Sequence, residues 1–126
     1  MLRKQYHFRP SLNGFYAWDI DRLVELTKDL EPQEVLLDDI IELDEAFWFS
    51  ANDDVPTCRA IVEHIKLIEE TDFKYPIILS SDGRLMDGMH RVSKALLQGF
   101  KTIEAVRFVE DPKPDYIDVQ PDDLPY

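Results

Sequence analysis

The chain is poor in cysteine, in glycine and in positive charge, with one Cys, four Gly and 14 basic residues against 26 acidic ones. A single thiol, Cys58, closes no internal disulfide and fits a reducing compartment. Three histidines, His7, His64 and His90, lack the spacing of a zinc centre, and one cysteine does not complete it. No apolar run reaches the roughly 18 residues of a membrane helix, and no signal-peptide pattern opens the chain, so a soluble, cytoplasmic protein without membrane contact is expected. The net charge of −12 argues against duplex DNA as a partner, because non-specific binding depends on neutralising phosphates with Lys and Arg. What remains is 126 residues with 44% hydrophobic and 11% aromatic content, enough to bury the core of one domain and too short for two.

The most informative stretch is PIILSSDGRLMDGMHRVSKALLQG, residues 76–99. Ile77-Ile78-Leu79 is an apolar β-branched run, Ser81-Asp82-Gly83 is turn chemistry, and Arg84-Leu85-Met86 returns as a second strand. After Asp87-Gly88 the period changes. Val92, Ala95 and Leu96 fall at helical spacing, and Gly99 stands where a C-cap takes positive φ. His90, Arg91 and Lys94 share an arc of about 100° on the opposite face. Cationic groups at a helix start, beside free amides and the positive end of the dipole, make a receptor for phosphate or carboxylate. Gly88 would let a ligand approach the main chain. Residues 84–107 carry a local charge of +3 inside this acidic chain, which favours a compact anion such as a nucleotide polyphosphate.

The rest of the chain reads in order. Arg3, Lys4 and Arg9 with Tyr6 and Phe8, ending at Pro10 and the Asn13-Gly14 turn signal, form an arm that packs on the domain or on a partner. Residues 18–30 predict an amphipathic helix with Ile20, Leu23, Val24, Leu26 and Leu30 on its apolar side, closed by Pro32. Val35-Leu36-Leu37 is a candidate strand, followed by a short Ile40-Ile41 element and an acidic, aromatic stretch, residues 42–49. After a loop over residues 50–56, Cys58, Ile61, Val62, Ile65 and Ile68 predict a helix with a core stripe, ending near Glu70. Ile103, Val106 and Phe108 suggest a last strand. Residues 110–126 hold four of the eight prolines and six carboxylates against Lys113. That composition builds no core of its own and predicts an extended tail docked through Tyr116, Ile117, Leu124 and Tyr126. The expected organisation is a domain over residues 1–109 followed by this tail, whose acidic surface offers a site for a protein partner.

With Asp87-Gly88-Met89-His90-Arg91 in place, residues 35–109 resemble the ParB/sulfiredoxin-like superfamily. The order is strand, acidic element, Pro56-x-x-Arg59, helix, Pro-Ile-Ile-Leu strand, Asp-Gly turn, the motif, a helix ending in Gly, and a strand. The resemblance implies a small α+β fold with a mixed sheet and packed helices. It also implies a nucleotide (ATP, ADP or CTP) held by the loop and helix start at Gly88, Met89, His90 and Arg91. Members include CTP-dependent DNA-partition clamps, ATP-using reductases of peroxiredoxin and kinases of free serine. The last have an Asp-Gly-His-His-Arg box, the closest of the three, with Met89 here in place of a histidine.

Phosphoryl transfer needs charge neutralisation at the phosphates, a bridging cation and a proton acceptor. The expected assignments are Arg91, Lys94 and the 88–90 amides at the phosphates, Asp87 carrying Mg²⁺ or orienting His90, and Glu42 or Glu45 as base. Trp48 would stack on a nucleobase, and Arg59 and His64 would line the same pocket. The expected function is therefore a nucleotide-binding domain acting as an Mg²⁺-dependent small-molecule phosphotransferase or NTP hydrolase. A non-catalytic interaction module, switched by nucleotide or independent of it, is the alternative, and a metal-dependent nuclease comes third.

Overall fold

The computed structural model describes residues 4–50 and 54–126. Arg3 and part of the loop over residues 50–56 lie outside the described residues. The chain is an α+β domain with two sheets and three α-helices among the described residues. The first sheet, in order β1-β2-β7, joins β1 (Tyr6–Pro10), β2 (Phe15–Asp19) and β7 (Tyr116–Val119), all antiparallel. The second has the order β3-β6-β4-β5 and uses β3 (Gln33–Leu36), β6 (Thr102–Arg107), β4 (Ile77–Leu79) and β5 (Leu85–Asp87). It is mixed, because β4 runs parallel to β6 while the other pairings are antiparallel. No helix among the described residues is long and apolar enough to cross a membrane.

The Ile77-Ile78-Leu79 run sits mid-sheet and is buried on both faces, the position that a continuous apolar strand favours. Alternation sends its side chains into two separate cores. Ile77 and Leu79 pack with Leu85, Met89, Val92 and Ala95, under helix α3 (Met89–Leu97). Ile78 packs with Trp18, Leu23, Met86 and Val106, under β2 and helix α1 (Ile20–Thr27). The turn between β4 and β5 forms as its residues dictate: Ser80 N–H donates to Arg84 O, and Gly83 takes φ +85°. Gly99 takes φ +81° at the end of α3, as a left-handed C-cap requires.

Four expectations are corrected. The N-terminal arm is a β-hairpin, turned at residues 11–14 where Ser11 N–H donates to Gly14 O. Trp18 belongs to β2, and α1 begins only at Ile20, capped by the Asp19 carboxylate accepting from Asp21 N–H at 2.9 Å. The strand holds Trp18 because its flat ring fills the second core while its indole N–H donates to Pro112 O. The acidic tail is extended and docked, but it supplies the third strand of a sheet. Arg22 donates to Lys113 O and Asp115, Asp115 accepts from Asp19 N–H, and Leu124 is buried. Ile117 and Tyr126 stay half exposed.

The fourth correction concerns helix α2 (Cys58–Glu70). Its ends fall where the periodicity puts them, with Thr57 Oγ1 accepting from Ala60 N–H at 3.1 Å. Its expected core stripe is not core: no α2 residue is buried, and Ile61, Val62 and Ile65 are exposed. The inner face is instead the one carrying Ala60, His64 and Ile68, which are partly covered.

Candidate functional site

Strand β5 ends at Asp87 and the chain turns sharply into α3 at Gly88, which adopts φ +115° and caps the helix with no side-chain hydrogen bond. The glycine is dictated by internal packing as well as by φ. A Cβ at Gly88 would stand 2.6 Å from Ile77 Cγ2 and 2.8 Å from an Arg91 terminal nitrogen. Asp87 and Arg91 therefore meet across the bend, Arg91 Nη2 donating to Asp87 Oδ2 at 3.1 Å. Burial pushes the Asp87 carboxyl above its usual range and the Arg91 charge opposes that push. Arg91 Nε is buried with no hydrogen-bond partner among the described residues, so Asp87 alone does not saturate the guanidinium.

Beside this corner three aromatic rings stack. Trp48, on a single 3-10 turn (Phe47–Phe49), lies 4.2 Å from the His64 ring and 4.7 Å from the His90 ring, nearly parallel to both. His64 Nδ1 and His90 Nε2 are 3.0 Å apart, one donating to the other. That bond needs at least one neutral ring. Burial, reinforced by the nearby His64 and Arg91, lowers the His90 pKa to about 4, and burial lowers His64 as well.

Asp87, Arg91, Trp48 and His90 line one side of a cleft of about 840 Å³, and the N-terminal hairpin forms the other. From the expected set, Glu45, Trp48, Asp87, Gly88, Met89, His90 and Arg91 line it. Met89 does so from the edge of the core, where its side chain is buried. Glu45 is held by a two-pronged pair with Arg84, at 3.0 and 3.1 Å.

Four expected residues are placed elsewhere. Glu42 is buried; its Oε2 accepts from Leu85 N–H at 2.7 Å and lies 3.3 Å from Arg84 Nε, so it ties the 3-10 turn Ile41–Asp44 to β5. Neither a solvated surface carboxylate nor a cleft base describes it. Lys94 donates to Glu69 O and Thr71 O and closes the C-terminal end of α2, whose carbonyls attract a cation. Arg59 is exposed on α2 and off the cleft wall, and His64 touches the site only through Trp48 and His90.

The cleft also takes residues that sequence reasoning did not assign to a site: Lys4, Tyr6 and His7 from the hairpin and Tyr126 from the C-terminus. Lys4 is 2.8 Å from Asp19 and 3.2 Å from Asp21. His7 accepts from Arg9 Nε at 3.1 Å, and burial lowers its pKa to about 4. The signal that would have found them is the hairpin itself, Tyr6-His7-Phe8-Arg9 against Phe15-Tyr16-Ala17-Trp18 about an Asn-Gly turn. Chemically the wall offers paired cations, neutral imidazoles and uncapped helix amides. Among the described residues no group of three or more His, Cys, Asp or Glu could hold a metal ion, so Asp87 belongs to no preformed metal cage. No protein family, curated protein or solved structure compared with the chain matches it.

Proposed function

We propose that the cleft binds a nucleotide, phosphates toward the Gly88–Arg91 bend and base toward Trp48, as the resemblance to the ParB/sulfiredoxin-like superfamily implies. The observation that carries this reading is the uncapped start of α3 opening beside Arg91, His90 and Trp48 on one cleft wall. Helix-start amides and an unsaturated guanidinium suit phosphate oxygens, and a cleft of about 840 Å³ is within the range that holds a nucleotide-sized ligand. Mg²⁺ would arrive on the phosphates and meet Asp87, since such ions keep most of their shell as water and phosphate. A cytoplasmic setting, where nucleotides are plentiful, accords with the lone cysteine.

If the site turns over as a phosphotransferase or NTP hydrolase, Glu45 is the base, since Asp87, the other carboxylate of the cleft wall, is engaged by Arg91 at the phosphate corner. Titration calorimetry with ATP, ADP, CTP and GTP, with and without Mg²⁺, tests the binding. Saturable uptake of at least one is expected, and none would end the reading. With a turnover in hand, Glu45→Gln should slow it roughly 10²-fold at little cost in affinity, and an equal rate would remove Glu45 from catalysis.

A further inference from the structure

Helix α2 divides into three faces. Ala60, His64 and Ile68 turn inward. Next to them runs an apolar stripe of Ile61, Val62 and Ile65 with Cys58, and Val62 is 62% exposed. Beyond the stripe, within a sector of about 60° on a helical wheel, lie Arg59, Glu63, Lys66 and Glu70. Scattered exposed apolar residues need no explanation, but a continuous stripe on a stable, well-capped helix does.

The charged row says what covers it. Two antiparallel copies of α2, related by a two-fold axis passing between His64 and Ile65, bring Arg59 opposite the second copy's Glu70 and Glu63 opposite its Lys66. Antiparallel helices place like-sided rows against each other, so all four contacts across the axis join opposite charges. In a parallel pair the two charged rows would lie on opposite sides of the seam, and none of these ion pairs would form. Glu69 falls on the stripe's side of the wheel at its C-terminal end, far from the two-fold axis, and Arg59 of the second copy is the opposite charge level with it. The row from Arg59 to Glu70 is also close to neutral, in a chain of net charge −12 that repels copies of itself elsewhere.

We propose that the chain forms a homodimer through antiparallel packing of α2 on α2, with Val62 and Ile65 at the seam. The interface is isologous, and ion pairs at its rim set its direction. It is independent of the nucleotide reading, because it uses none of the cleft residues.

Sedimentation equilibrium of the full chain into the hundreds of micromolar is the first measurement, since an interface of this size is weak. A monomer–dimer equilibrium is expected; a monomer throughout overturns the proposal. Arg59→Glu and Glu70→Arg should each weaken dimerisation on the order of tenfold, and the double swap should restore it to within about threefold. These residues are exposed, so folding is unaffected, and circular dichroism verifies that. Dimerisation indifferent to the single reversals, or not restored by the double one, overturns the interface. Register is read by oxidation: in a Cys58→Ser background, Ile65→Cys should crosslink readily, its two copies offset by about 1.5 Å along the axis, whereas the native Cys58 pair would be about 20 Å apart. A dimer that crosslinks through Cys58 and not through position 65 rejects the antiparallel arrangement.

Discussion

Helices α2 and α3 carry the same kind of amphipathic pattern and meet opposite fates. In α3, Met89, Val92 and Ala95 are buried against β4 and β5; in α2, the stronger-looking stripe of Ile61, Val62 and Ile65 faces outward. The difference lies in what each helix is tethered to. Helix α3 follows β5 after a one-residue bend and is pulled onto the sheet that β5 belongs to. Helix α2 is fixed sideways, by His64 to His90 and by Lys94 to its last turn, so its fit to α3 decides its rotation. Periodicity reports that a helix has an apolar face. It does not report which surface that face will find.

Substituting the two faces alike should separate them most sharply. Val92→Asp places an unpaired carboxylate in the core and should cost about 4 kcal/mol or more, whereas Val62→Asp should change monomer stability by less than about 0.5 kcal/mol, both read by urea denaturation. Equal costs would mean that the α2 stripe is core after all.

The two ends of α3 give the next contrast. Gly88→Ala meets both an unfavourable φ and the Ile77 side chain, and should cost about 2–3 kcal/mol. Gly99→Ala has the same φ problem in open space and should cost about 1 kcal/mol. A reversed order in thermal melts would show that Ile77 yields easily.

Along the polar side of α3, Arg91 and Lys94 share a face on a helical wheel yet serve different ends. Arg91→Ala should weaken nucleotide binding by about 1.5–3 kcal/mol, the scale of a charge-assisted hydrogen bond. Lys94→Ala should leave affinity unchanged and loosen the C-terminal turn of α2, seen as faster amide exchange there. Calorimetry in which Lys94→Ala matched Arg91→Ala would return Lys94 to the phosphates.

The smallest effect concerns the bond between the helices. His90 has a folded pKa of about 4 against an ordinary 6.5, so the unfolded chain takes up its proton first. Stability from His90 is therefore complete above about pH 6.5 and falls as the pH drops toward 4, with His7 and His64 acting in the same direction. The loss attributable to His90 should be about 1 kcal/mol, below the full linkage value because water partly reaches the ring. His90→Gln should flatten that part of the profile in urea melts taken at successive pH values; an unchanged profile would remove His90 as its source.

Much of the site was legible because its parts are close in sequence. The strand, turn, strand, bend and helix of residues 76–99 follow from local chemistry: a β-branched run, Ser-Asp-Gly, a glycine where φ must be positive, and a change of period. The other wall was not. His7 and Lys4 reach the cleft from some eighty residues away, carried there by the pairing of β1 with β2 and by the packing of β2 and α1 on the second sheet, where Trp18 and Leu23 meet Ile78 and Met86. Glu42 and Glu45 look equivalent in the sequence, yet a 3-10 turn buries one under Arg84 and leaves the other at the cleft.

The sequence by itself determined the bounds of α2, the β4–β5 turn and the glycine-governed ends of α3, since each rests on backbone preference or on contacts within a few residues. Tertiary structure decided which apolar stripe became core, which cations stayed at the cleft and where the acidic tail ended up. Those outcomes depend on the rotation of a helix about its axis and on strand partners far along the chain. Side-chain packing across the assembled domain sets both.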